Sequence, residues 1–196
     1  MINNEIKIEI LSNDQDSLKQ IAKLHKQLFD RDHFTTTFRE GLLLNYFNAL
    51  LKKSQFNYKA IVEEEIVGYL IAGKNLDKVL SDFSRQNFLK VFYYLVNNPK
   101  FIKEKILELL RKILLNSQKS SAEMRLFIIA AKHSKDLKGV GKKLIQQLER
   151  DLLQNNITCY GLSVRKHNFK AIEFYQQQGF VEEFRTIKSI YFIKNL

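Results

Sequence analysis

Residues 162–180 read LSVRKHNFKAIEFYQQQGF, a short β-prone run followed by a helical pattern that ends at a glycine. Asn168 stands just before the helical pattern, where a short polar side chain commonly caps the first turn. Tyr175 falls at core spacing within that pattern, and Gly179 follows its end, as glycines at helix C-termini do. The stretch therefore predicts a strand, a helix over 169–178 and a turn in immediate succession.

A second strand, loop and helix precede this stretch. Residues 124–131, MRLFIIAA, are apolar and partly β-branched, as expected of a central strand. Gly139 and Gly141 allow a tight turn, and the pattern over 140–154 is helical. The start of a helix presents unpaired N–H groups and a positive dipole end, which suits a phosphate. A tight connection without a ligand is the alternative interpretation of this loop.

The two common nucleotide-binding loops do not fit this spacing. A Walker loop requires a glycine at 136 and Ser or Thr at 143, where the chain has Asp136 and Lys143. A dinucleotide fingerprint requires a third glycine at 144, where the chain has Leu144. Both classes are therefore excluded on sequence grounds.

Taken together, the two stretches resemble the GNAT acetyltransferase superfamily. Its second motif, roughly Asn-x-x-Ala-x-x-x-Tyr-x-x-x-Gly-Phe, is complete, with Asn168, Ala171, Tyr175, Gly179 and Phe180 in register. Its first motif, Gln/Arg-x-x-Gly-x-Gly/Ala, is matched by DLKGVG over 136–141, in which Asp136 replaces the usual Gln or Arg. The resemblance spans about 124–180.

The resemblance implies an α/β (α+β) fold with a mixed, mostly antiparallel central sheet flanked by helices. The order of elements predicted from the hydrophobic patterns matches the family plan βααβββαβαββ, apart from a helical insertion at about 76–120, before the cofactor-binding strand. We expect one domain over 1–196 that includes the insertion. The insertion could serve as a substrate lid, a dimer surface or an interfacial membrane helix.

The resemblance also implies acetyl-CoA as co-substrate and direct attack of an amine on its thioester. Tyr175 would be the general acid that protonates the departing thiolate. The implied cofactor-binding residues are Ile129, Ala130, Ala131, Leu137, Lys138, Gly139, Val140, Gly141, Lys142 and Asn168. The first three would pair their backbone with the pantetheine arm, and 137–142 would cradle the pyrophosphate. Asn168 could serve only as an N-cap, and Tyr175 only as a core aromatic.

No residue is assigned as the general base. Ser163 stands where many family members carry an acidic residue. The acidic run Glu63 to Glu65 lies at a predicted hairpin tip, where side chains are usually solvated. His133 and His167 flank the cofactor loops and could act as neutral imidazole bases, although phosphate contact or plain exposure are alternatives.

The remaining chain is predicted from its hydrophobic periodicity. Ile6, Ile8 and Ile10 alternate and are expected on one face of a first strand. The other elements are a helix at about 14–29, a helix around 42–51, a hairpin over 58–74, helices over 88–96 and 100–115, a strand over 157–164 and a strand pair around 180–194. Asn98 and Pro99 are expected to begin the helix over 100–115.

Composition restricts the remaining possibilities. The single cysteine, Cys159, and four scattered histidines do not predict a metal site, and no secretory signal or apolar membrane span is apparent, so a cytoplasmic location is expected. The formal charge of +11 is spread along the chain, and nucleic-acid binding is not expected. The acceptor could be a small amine, an amino sugar or a protein amino group, and a homodimer remains open. The alternative function is a noncatalytic module that senses CoA or binds nucleic acid.

Overall fold

The computed structural model describes residues 5–29, 33–102, 118–134 and 137–196. Its strands are β1 (Lys7–Ile10), β2 (Phe56–Val62), β3 (Glu65–Lys74), β4 (Met124–Ala131), β5 (Cys159–Arg165), β6 (Val181–Arg185) and β7 (Ser189–Asn195). Its helices include α1 (Gln15–Leu28), α2 (Glu40–Leu51), α3 (Leu76–Gln86), α4 (Phe88–Val96), α5 (Val140–Gln154) and α6 (Phe169–Gln177), with a short 3-10 turn at Phe34–Thr37.

The strands form one seven-stranded sheet in the order β1-β2-β3-β4-β5-β7-β6. All neighbouring pairs are antiparallel except β4 and β5, which run parallel. The acidic tip of the β2–β3 hairpin adopts positive φ angles at Glu63 (48°) and Glu64 (66°), as a tight hairpin turn requires. The predicted mixed, mostly antiparallel sheet flanked by helices is confirmed.

Strand β4 carries a bulge at Phe127. Ile71 and Ala72 on β3 are consecutive, yet they pair with Ile128 and Leu126, so Phe127 has no partner in the β3–β4 ladder. The extra residue reverses the alternation of the strand. As a result, Leu126 packs with α5 and Ile128 packs with α1 and α2, on opposite faces of the sheet.

The sheet opens between its two central strands. Among the described residues, β4 and β5 share a single pair of the ladder, Arg125 with Gly161, near the start of both strands. Beyond this pair β4 continues along β3, and β5 continues along β7 over its whole length. Because the two strands are parallel, their carboxyl ends lie at the same side of the opening.

Each face of the sheet has its own hydrophobic core. On one face, α5 and α6 pack on the sheet through residues such as Leu144, Leu148 and Tyr175. On the other, α1, α2 and α3 cover Tyr69, Ile71 and their neighbours. Each helix covers the sheet with an apolar stripe at three- and four-residue spacing, which is why the periodicity of the sequence predicts them.

Two local interactions set the ends of helices, and the one at Gly179 is as the sequence predicts. The Asp14 carboxylate accepts a hydrogen bond from the Ser17 N–H at 2.8 Å and caps α1. Gly179 has φ +85°, and the Phe180 N–H reaches back to the Tyr175 carbonyl at 3.1 Å. Such a left-handed residue ends a helix at low cost only when it is glycine.

The structure corrects the sequence analysis in two places and leaves one expectation outside its range. Ile10 does not share a buried face with Ile6 and Ile8, because it is 77% exposed on the edge strand β1. Helix α3 was not predicted as a separate element. The chain is helical from Pro99 to 102, as expected, but most of the predicted helix over 100–115 lies outside the described residues.

Candidate functional site

The opening between β4 and β5 leaves one edge of β4 without a strand partner among the described residues. Ile129, Ala130 and Ala131 pair with Leu70, Tyr69 and Gly68 of β3 on the other edge. Their second edge faces the opening, where β5 has diverged. An unpaired strand edge offers a row of N–H and C=O groups that an extended ligand can use as another strand would.

The loop after β4 leads into the N-terminus of α5 beside this opening. Gly139 is the N-cap residue with φ +86°, and no side chain caps the helix. The Lys143 N–H donates to the Gly139 carbonyl at 2.9 Å and closes the first turn. The N–H groups of 140–142 precede that bond, and such groups lack helical partners. The predicted glycine turn and helix start are therefore present.

This loop could hold a diphosphate group, because it offers open space and positive charge. Space around Gly139 is open, since an added Cβ would meet no atom within 4 Å. Lys138 and Lys142 are exposed beside it, and the positive end of the helix dipole adds to their charge. Leu137 is partly buried against the core beneath the loop. Asp136, the departure from the family motif, lies outside the described residues.

Asn168 lies directly before α6 and Tyr175 lies within it, on the far side of the opening. The Asn168 side-chain oxygen accepts from the Ala171 N–H at 3.2 Å, so its role as an N-cap is confirmed. Tyr175 is 8% exposed and packs against Phe174, Phe180 and Phe192. The core interpretation of its ring is therefore also correct.

The Tyr175 hydroxyl retains its proton at ordinary pH. Burial raises the pKa of Tyr175 above its usual value. The described residues provide no hydrogen-bond partner for this hydroxyl. A protonated and unengaged hydroxyl can act as a donor to a group that enters the opening.

The residues weighed as bases take different environments. Glu63 and Glu64 are exposed at the hairpin tip, and Glu65 accepts a hydrogen bond from Lys132 at 2.6 Å that lowers the pKa of its carboxyl. Ser163 is exposed on β5, and His133 is exposed after β4. In the part of the chain that is described, no group of three or more His, Cys, Asp or Glu could hold a metal ion.

One polar cluster was missed by the sequence analysis. His25 on α1 is fully buried and bridges Tyr69 on β3 and Thr35 in the turn after α1. His33 contacts the same Thr35 hydroxyl. The apolar stripe of α1 could have placed His25 toward the core, but its partners are distant in sequence and come together only in the fold.

Comparison with protein families matches residues 115–180 to the acetyltransferase (GNAT) family. The matched range contains β4, the loop before α5, β5, Asn168 and Tyr175. No curated protein sequence matches the chain.

Solved structures share the fold over nearly the whole chain. PH1933 from Pyrococcus horikoshii superposes with a TM-score of 0.66 at 18% identity, covering 98% of this chain and 99% of that one. The PaiA N-acetyltransferase of Thermoplasma acidophilum, in complex with coenzyme A, gives 0.60 at 14% identity with the same coverage. The ribosomal-protein-S18-alanine N-acetyltransferase of Escherichia coli gives 0.57 at 14% identity, covering 97% and 94%.

Across the described residues, no helix is long and apolar enough to cross a membrane. The two motifs lie on either side of the opening, in the order and on the elements that the resemblance implies. The family match over residues 115–180 and the fold shared with solved structures confirm the resemblance of this chain to the GNAT acetyltransferase superfamily.

Proposed function

We propose that the protein transfers an acetyl group from acetyl-CoA to a primary amine by direct attack on the thioester. The observation that carries this proposal is the single parallel pair that joins β4 and β5. It leaves the β4 edge at 129–131 open, and the loop that follows β4 leads to a helix N-terminus that no side chain caps. An extended arm that ends in a diphosphate matches this sequence of groups.

Different residues of the protein would bind different parts of such a ligand. Ile129, Ala130 and Ala131 would offer backbone groups to the amides of the pantetheine arm. Leu137, Lys138, Gly139, Val140, Gly141 and Lys142 would surround the pyrophosphate. Asn168 would hydrogen-bond the arm through its side-chain amide N–H, since its oxygen caps α6. When bound, acetyl-CoA supplies an activated acyl group.

Tyr175 would serve as the general acid. Its hydroxyl is protonated, and it would donate that proton to the thiolate that leaves when the amine attacks. The neutral amine nitrogen forms the new bond to the acyl carbon, and the carbon–sulfur bond breaks. The nitrogen then loses one proton to solvent water, from which Tyr175 regains the proton that it gave to the thiolate. No covalent enzyme intermediate is required.

Several classes of acceptor are compatible with the proposed reaction. The E. coli structural neighbour modifies a protein amino group, and the mode of access to the opening decides between a peptide and a small amine. We propose a small amine or amino sugar as the acceptor and a protein amine as the alternative. The described α3 and α4 belong to the insertion and pack beside α2 on the face that carries α1.

Calorimetric titration with acetyl-CoA tests the cofactor half of the proposal. The wild-type protein should bind saturably at micromolar concentration. Lys142→Gln should weaken binding about three- to tenfold, because one positive charge beside the phosphates is lost. Lys90→Gln is the matched control, since Lys90 is exposed on α4, away from the loop. Its affinity should equal that of the wild type.

Release of the CoA thiol in the presence of a panel of primary amines tests the transfer. Amine-dependent release supports an acetyltransferase. Saturable binding without release on any amine favours the noncatalytic, CoA-sensing alternative. Absence of binding at millimolar acetyl-CoA contradicts the proposal, and a salt-dependent shift with an oligonucleotide would then favour nucleic-acid binding.

A further inference from the structure

A chain of three hydrogen bonds runs through the core beside the opening. The Tyr69 hydroxyl lies 2.8 Å from Nδ1 of His25, and Nε2 of His25 lies 2.7 Å from the Thr35 hydroxyl. The same hydroxyl lies 2.7 Å from Nδ1 of His33. The chain therefore uses both ring nitrogens of His25 but only Nδ1 of His33.

The number of protons fixes the direction of this chain. Tyr69 is fully buried, and His25 is the partner the structure gives its hydroxyl among the described residues. If His25 donated to Tyr69, the Tyr69 proton would be left buried without an acceptor, which is costly. Tyr69 must therefore donate to Nδ1 of His25, whose Nε2–H then donates to Thr35.

The same proton count fixes the direction of the hydrogen bond between Thr35 and His33. Thr35 carries one hydroxyl proton, and because it accepts from His25 it donates that proton to Nδ1 of His33. A neutral His33 then carries its own proton on Nε2. The inner three groups thus hold His33 in one tautomer, with an N–H at its outer nitrogen.

Both histidines stay neutral. Burial lowers the pKa of His25 to about 3, with the charges of His33 and Lys26 adding to the effect. Burial, with the charge of Arg165 added, lowers the pKa of His33 to about 4. At neutral pH the outer nitrogen of His33 is therefore an N–H donor without a positive charge.

The two ends of the hydrogen-bond chain lie near the two strands that border the opening. Tyr69 pairs with one edge of Ala130 on β4, whose other edge is proposed to bind the pantetheine arm. His33 lies close enough to Arg165, the last residue of β5, to feel its charge. His33 is partly exposed, so a ligand can reach it.

We propose that His33 binds an oxygen of the acceptor substrate through Nε2–H, with Thr35, His25 and Tyr69 as positioning residues. This inference rests on the proposed acetyltransferase function. It favours acceptors that carry an oxygen able to accept a hydrogen bond near the amine, such as the hydroxyl of an amino sugar or the carbonyl of an α-amino amide. It also means that His33 does not accept the proton of the amine, because its outer nitrogen already carries one.

The tautomer is measured directly by NMR on protein labelled with ¹⁵N histidine. The protein has four histidines, and comparison with His33→Asn identifies the signals of His33. We expect Nε2 to carry the proton and the ring to remain neutral down to about pH 4. A proton on Nδ1, or a titration near the ordinary value, would overturn the inference whether or not the protein is active.

The substrate role is measured with two amines that differ by one carboxamide, phenylalaninamide and phenethylamine, each with acetyl-CoA. The wild type should prefer phenylalaninamide in kcat/KM, and His33→Asn should reduce that preference about three- to tenfold. Asn can still accept from Thr35 but lacks the outer N–H. His33→Gln places an amide N–H near Nε2 and should restore part of the preference.

The outcomes separate this inference from the proposed function. Equal use of the two amines, or a preference that survives in His33→Asn, would overturn the role of His33 and leave the acetyltransferase proposal intact. The same holds if the protein binds acetyl-CoA but does not acetylate phenylalaninamide. Failure to bind acetyl-CoA would refute the proposed function, and would overturn the substrate role of His33 with it.

Discussion

Gly68 on β3 lies where the sheet meets the first turn of α5. A Cβ at this position would lie 2.7 Å from the Val140 side chain, 3.0 Å from the Ala130 carbonyl oxygen and 3.3 Å from Leu144. The closest contact is shorter than real Cβ atoms make, and Val140 and Leu144 are fully buried, so neither can turn away into solvent. Gly68→Ala must therefore displace α5 from the sheet.

The expected cost is that of overpacking a core, about 1–3 kcal/mol. For a chain of this length, each kcal/mol lowers Tm by about 2–4 °C. Since Val140 opens α5, the displacement should also move the proposed pyrophosphate loop and weaken acetyl-CoA binding. Thermal unfolding and calorimetric titration of the same preparation measure both effects.

Gly41→Ala is the matched control for the same chemical change. Gly41 lies in the first turn of α2, and an added Cβ there would meet no atom within 4 Å. Alanine should leave stability unchanged or raise it by up to about 1 kcal/mol. If Gly68→Ala melted like Gly41→Ala and bound acetyl-CoA normally, the close contact between β3 and α5 would not exist as described.

Three further predictions concern single side chains. Tyr175→Phe should lower turnover about 10²-fold or more at unchanged acetyl-CoA affinity, as measured by single-turnover kinetics and calorimetry; an unaltered rate would contradict the role of its hydroxyl. His25 has a lowered pKa, so the unfolded chain binds its proton below about pH 6.5 while the folded chain does not until about pH 3. Stability should therefore fall as pH drops through this window, and His25→Gln should flatten the slope by about 1.4 kcal/mol per pH unit in urea unfolding; parallel slopes would argue against a neutral, buried His25. Asp14→Ala should cost about 1 kcal/mol at pH 7. Hydrogen bonds from Ser12 and the Ser17 amide lower the pKa of Asp14, so that difference should persist above about pH 4 and shrink progressively as the pH falls below it; a difference that is constant with pH would contradict the cap.

The sequence predicts most elements because their signals are local. The helix over 140–154 and the strand over 124–131 match α5 and β4 at both ends, since each shows a complete hydrophobic pattern between glycine or polar breaks. The exposure of Ile10 could not be predicted in this way. Alternation shows which residues share a face, but the position of a strand at the sheet edge and the reach of the covering helix decide whether that face is buried.

The proposed site depends on both levels. The spacing of residues from Asn168 to Gly179 can be predicted from the sequence, because a helix cap, a core aromatic and a C-terminal glycine need only local spacing. The unpaired edge of β4 cannot be predicted in this way, since it follows from the divergence of β5 beyond one shared pair.

The sequence by itself determined the family motifs, the helix after the first motif, the helix within the second, and the two glycines that shape the loop before α5. Only the tertiary structure decided the bulge at Phe127, the opening of the sheet, and the hydrogen bonds that link Tyr69 to His33. Those features join residues up to dozens of positions apart, as in the 44-residue separation of His25 and Tyr69. Contacts of that kind depend on which faces pack together and on where each proton can find an acceptor, and neither property is visible in a local pattern of residues.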